Sequence, residues 1–181
     1  MAILTLFLTL WVVQAAIADG GTAAEATARA GMIGGTAQIA AVIWAPIFGT
    51  IGDKIDRLTL LVVAFLIATI GYGWVATTDD ILSPAAIPAL LCLGMGLSSG
   101  QLASTVLLAQ ESPAHVRGST FGLQSFCGAI GILALAGGGG RLFDAIGPQA
   151  PFVAVAIANG VVLMLALLRR AVELRRLPAV A

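Results

Sequence analysis

The residues that could do chemistry are few, and they gather at the ends of apolar runs. The densest group is Gly49, Thr50, Ile51, Gly52, Asp53, Lys54, Ile55, Asp56 and Arg57, in which four of nine positions are ionised. Apolar stretches long enough to cross a bilayer flank it on both sides, so they must turn back on each other at a membrane surface. Asp53 is placed to end one helix and to cap the next near Leu58, since a carboxylate is stabilised by the free N–H groups of a helix start. Arg57 follows four residues later and would pair with Asp53 if the turn is helical, with Gly49 and Gly52 permitting a tight approach. The simpler alternative is a solvated turn whose bases anchor it to the lipid headgroups. A second charged group runs from Glu111 to Gly118 and contains Arg117 and the single histidine, His115. His115 lies in a loop beside Pro113, not opposite a serine, cysteine or acid in a span, so no catalytic residues are expected and the chain reads as no enzyme. Cys92 and Cys127 sit inside apolar segments and read as small buried residues, neither metal ligands nor a disulfide. The run Gly94 to Gly100 has the wrong final spacing for a dinucleotide loop and follows no strand. No cofactor or metal is implied, and no motif suggests ATP hydrolysis.

These groups are positioned by elements of unusual composition. Of 181 residues, 59% are hydrophobic and 10% are charged, where a soluble domain carries about 25% charged residues. Nine acids balance nine bases, which leaves no electrostatic case for nucleic acid. Breaking the chain at charge and Gly/Pro clusters leaves apolar segments near 3–18, 30–52, 58–76, 84–110, 119–140 and 149–168. Their runs are continuous and lack the alternation of barrel strands, so the expected fold is all-α, a polytopic membrane bundle of six spans over 1–170 with a tail at 171–181. If the spans alternate, one side holds Lys54, Arg57, Arg117, Arg169, Arg170, Arg175 and Arg176, and the other only Arg29 and Arg141. That asymmetry puts both termini in the cytoplasm of an inner or plasma membrane protein. A cleaved signal peptide ending near Ala16–Ala18 is the rival reading of the first segment, but no base precedes its apolar stretch. Its abrupt beginning at Met1 suggests a start inside a larger protein's hydrophobic segment.

Polarity within the spans is mild and uneven. Gln14, Gln38, Gln101 and Gln124 fall in spans one, two, four and five, together with Ser98, Ser99, Ser104, Thr105 and Ser125. Spans three and six carry little beyond Thr59, Thr69, Tyr72 and Asn159. The first set is expected to face protein or water, and the second lipid. Such amides and hydroxyls also serve as plain interhelical bonds, at about 0.6 kcal/mol each. Glycines crowd spans four and five, and Pro46 and Pro88 are expected to add kinks.

The order Gly49, Asp53, Lys54, Arg57 resembles the signature loop of major facilitator superfamily (MFS) transporters, G-x-x-x-D-[RK]-x-G-[RK]-[RK], which lies between the second and third helices of each six-helix half. Asp56 stands where glycine is usual and Leu58 replaces the last base. Glu111 to Gly118 is similar to the family's link between fourth and fifth helices, where P-x-x-x-R-G recurs and Arg117 and Gly118 match. Residues 139–152 resemble the turn joining its last two helices. The resemblance implies one MFS-type bundle, the carboxy-terminal half of a twelve-helix protein, whose seventh, eighth, tenth and eleventh helices line the central cavity. It further implies a secondary transporter that moves a small solute by alternating access. The loop at Gly49, Asp53, Lys54 and Arg57 would be the gate, and Gln14, Gln38, Gln101 and Gln124 the cavity lining. Its partners would be a solute, the lipid bilayer and an amino-terminal six-helix half. A neutral, apolar lining favours a hydrophobic or uncharged cargo, such as a drug exported by efflux. Proton coupling would require an acid in the other half. The alternative is a truncated, non-transporting six-helix membrane protein with a structural or interaction role.

Overall fold

The computed structural model describes residues 2–176, with side chains from Thr5 to Glu173. They form helices α1 (Ala2–Ala18), α2 (Ala23–Gly52), α3 (Arg57–Ala76), α4 (Ile87–Glu111), α5 (Arg117–Ala145) and α6 (Ala150–Arg176), with a short 3-10 turn, Pro84–Ala86, leading into α4. No strand occurs among the described residues. All but α1 are long and apolar enough to cross a membrane. The 17 residues of α1 reach about 25 Å at 1.5 Å each, short of a hydrocarbon core of about 30 Å. The tail expected from 171 begins inside α6, and 177–181 lie outside the described residues.

Local signals set the helix ends. After α1 the chain turns at Gly20, whose φ of 85° suits a residue without a Cβ. Thr22 and Glu25 form a capping box at the start of α2, each side chain accepting from the other's backbone N–H. The cap of α3 is Asp56 and not Asp53. Its Oδ2 accepts from the N–H groups of Leu58 and Thr59 at 3.0 and 3.3 Å. Only the residue directly before the first turn reaches those donors. Asp53 instead ends α2, its own N–H donating to the carbonyls of Gly49 and Ile51. Asp56, the departure from the family's glycine, therefore has a local task. Pro88 does not kink a span either: it lies in the first turn of α4, where its missing N–H would have had no helical partner. Pro46 lies within α2.

The helices pack through small residues. α3 lies against both α4 and α6, while α2 packs on α4 and α1 on α2. A Cβ on Gly96 would lie 2.6 Å from the Cα of Ala68, and one on Gly71 would lie 2.7 Å from the Cys92 carbonyl oxygen. A Cβ on Gly94 would collide with the carbonyl of Ala37. Close backbone approach of this kind is how membrane helices gain dispersion contact when lipid removes the hydrophobic drive. One apolar core gathers Phe7, Trp11, Val12, Tyr72, Leu90 and Phe152. A second, nearer the 53–56 turn, joins Phe48, Leu60, Ala64 and Ala103.

The outward faces are apolar. Leu66, Ile70 and Trp74 of α3 are exposed at four-residue spacing, as are Val153, Ile157, Val161 and Leu165 of α6. Such stripes occupy one side of a helix and suit lipid. The remaining sides of α3, however, are buried as thoroughly as α4. α5 is the least covered helix: none of residues 118–138 is buried.

Candidate functional site: a charged rim at one end of the bundle

Antiparallel connections bring the ends of α2 and α4 and the starts of α3 and α5 to the same end of the molecule. There Arg57, the first residue of α3, donates from Nη2 to Oε1 of Glu111, the last residue of α4, at 3.0 Å. The two side chains are 41% and 55% exposed, which makes this a rim pair of modest strength that small forces can open. The expected partner of Arg57 was Asp53. Residues 53–56 form a turn, so the four-residue stacking of a helix does not arise there. Asp53 and Lys54 are exposed at the tip of that turn.

The supporting contacts differ from one glycine to the other. A Cβ at Gly52 would sit 3.0 Å from the Leu60 side chain, so this position holds the turn close to α3, whereas Gly49 faces open space. Behind the turn is a cleft of about 410 Å³ lined by Phe48, Asp53, Leu60, Leu102, Val106 and Gln110. On the other side of the ion pair, Arg57, Glu111, Leu61, Leu165, Arg169 and Glu173 border a cleft of about 460 Å³ between α3, α4 and α6. In the α4–α5 connection, Arg117 Nε donates to the carbonyl of buried Ser112 at 3.1 Å. Gly118 follows in open space.

Gln14, Gln38 and Gln124 are exposed on α1, α2 and α5. Gln101 lines a cleft of about 200 Å³ with Tyr72 of α3 and Asn159 of α6, residues of the two spans expected to face lipid. The closest polar contact between spans is one the sequence reading passed over: Trp44 Nε1 donates to Oγ of fully buried Ser99 at 2.7 Å. Glu111 and Asp56 were likewise passed over as functional residues. A helix-start pattern at Asp56–Arg57–Leu58 was available as a signal; nothing local marks Glu111 as the partner of Arg57.

What this arrangement can do is non-covalent: exposed charges at the helix ends make and break contacts while the spans between them remain apolar. Long helices with lipid-ready faces and a charged rim define an integral, multi-pass helical membrane protein. The chain belongs to the Major Facilitator Superfamily, whose family model matches residues 2–180. Members of that family move small solutes across a lipid membrane. Among similar proteins, Magnetosome protein MamZ of Paramagnetospirillum magneticum is 28% identical over 151 residues, 83% of this chain and 23% of that protein. Magnetosome protein MamH of the same organism is 28% identical over 164 residues, 88% of this chain and 37% of that protein. The class C tetracycline resistance protein of Escherichia coli is 34% identical over 123 residues, 67% of this chain and 30% of that protein. The chain thus spans well under half the length of each of these relatives. No solved structure matches it at comparable stringency.

Proposed function

We propose that this chain is the carboxy-terminal six-helix half of a secondary transporter, with all six helices spanning the membrane and both termini in the cytoplasm. A second six-helix bundle would complete it, and a small solute would bind near midplane between the two as they rock. The observation that carries this reading is the rim: Asp53 and Lys54 stand exposed at the turn between half-buried Gly49 of α2 and Arg57 of α3, beside the Arg57–Glu111 pair. Asp53 and Lys54 are free to meet the opposing bundle, while Arg57 fixes the turn to α4. Arg117 and Gly118 shape the second connection at that face. Gln14, Gln38 and Gln124 are available for hydrogen bonds to solute, with Gln101 contributing from its cleft.

The solute is proposed to be hydrophobic or uncharged, moved outward by efflux. The sparse interior charge and the tetracycline resistance relative support that choice. Proton coupling would draw on an acid in the partner half. The experiment is flux of tetracycline, used as probe, through proteoliposomes holding the full-length transporter. Asp53→Asn should impair flux while membrane insertion is unchanged. Unaltered flux would reduce the turn to an anchor, and no flux with any solute tested would favour a structural or interaction role.

A further inference from the structure

Glycines crowd both α4 and α5, but their surroundings differ. In α5 a Cβ at Gly122, Gly128, Gly131, Gly137, Gly138 or Gly140 would meet no atom within 4 Å. Close packing does not require glycine there, and glycine weakens a helix relative to alanine. The weakening is concentrated at 137–140, four consecutive glycines inside a helix that runs unbroken from Arg117 to Ala145.

The two sides of that run are held very differently. Beyond it, Phe143 stacks on Phe7 with ring centroids 6.1 Å apart, and the N–H groups of Ile146 and Gly147 both reach the Leu142 carbonyl. Gly139 itself is buried against the Phe7 ring. Before the run, none of residues 118–138 is buried, and the contact of α5 with α4 is slight. Only Leu135, at its end next to the run, packs against the core; the rest of the segment carries exposed Leu123, Phe126, Ile130 and Leu133, whose alternating three- and four-residue spacing makes a single seam on one face. Its start is tied to α4 only through the short 112–116 connection and the Arg117–Ser112 bond. A rigid anchor, a soft run and an unburied arm follow one another along a single helix.

We propose that residues 137–140 are a hinge on which the 117–136 arm of α5 pivots toward and away from α4. The unbroken helix seen here, in slight contact with α4, is the position away from α4, and bending at the glycines brings the apolar seam toward it. This motion lies within the bundle, whereas the rocking proposed above moves bundles as units. Rocking alone leaves the α4–α5 distance constant, so each idea can fail without the other.

The test uses the whole chain in lipid nanodiscs with spin labels on native Cys127 of α5 and on Thr105→Cys of α4, in a Cys92→Ser background. Pulsed EPR should give two distance populations. In Gly137→Ala/Gly138→Ala/Gly140→Ala the shorter one should fall on the order of a hundredfold, at about fivefold per alanine in favour of unbroken helix. Gly139 is left in place, because its Cβ would press on Phe7 at 3.0 Å. Gly128→Ala/Gly131→Ala, equally open but outside the run, should leave the distribution unchanged. A single population in the parent, or equal responses from the two variants, overturns the hinge. Amide exchange in the unmodified chain reads the same claim without any substitution. Fast exchange confined to 137–144, the amides whose helical bonds begin or end in the glycine run, supports the hinge, and uniform protection along α5 contradicts it.

Discussion

α4 and α5 are similar in composition and opposite in circumstance. Gly94 and Gly96 of α4 are buried where α2 and α3 cross at backbone distance, and Ser99 accepts a bond from the α2 indole. The glycines of α5 touch almost nothing, and its glutamine and serines, Gln124, Ser119 and Ser125, are exposed. The same residue thus brings helices together in one span and leaves the other free to bend. Glycine content alone does not separate the two uses; what would stand where a Cβ would go does.

The contrast can be broken most sharply at those glycines. Gly94→Ala and Gly96→Ala force side chains into neighbouring backbone and should cost about 1–3 kcal/mol each, read from reversible unfolding in mixed micelles. Gly128→Ala and Gly131→Ala should instead be neutral or stabilise by about 0.4–1 kcal/mol. Similar losses at all four positions would erase the distinction.

The next effect separates the two aspartates of the turn. Asp56→Ala removes the α3 cap and should destabilise by about 1 kcal/mol. Asp53→Ala, at an exposed position ending α2, should leave stability unchanged and affect only transport. Ser99→Ala deprives Trp44 of its acceptor, with an expected loss of about 0.6 kcal/mol and a change in tryptophan emission; Ser125→Ala on α5 should show neither. Smallest is the rim pair. A double-mutant cycle on Arg57→Gln and Glu111→Gln should return a coupling of about 0.2–1 kcal/mol, because both side chains are substantially exposed. A larger coupling would mean that the pair is shielded in the assembled protein.

Helix number and approximate limits were legible because long apolar runs broken by charge and Gly/Pro permit little else. The capping of α3 was misplaced by three residues, since two aspartates compete and only backbone geometry shows which reaches the N–H groups of Leu58 and Thr59. Arg57 was recognised, but its partner was sought nearby. The actual pair joins positions 57 and 111, a contact made by packing α3 on α4 that no local spacing encodes. Polar residues were assigned to faces by span, while a helix has several faces. Gln101 therefore lies beside Tyr72 and Asn159, and Ser99, two residues earlier, points to Trp44.

The central claim is that solute meets this bundle from both sides of the membrane in turn. It is tested most directly by a single cysteine at Gln38 of α2, placed in the full-length transporter without Cys92 and Cys127. A membrane-impermeant thiol reagent is applied to right-side-out and to inside-out vesicles. Alternating access predicts that the position reacts from both faces, with a balance that shifts when Asp53→Asn is introduced. Reaction from one face only, indifferent to Asp53, would contradict it.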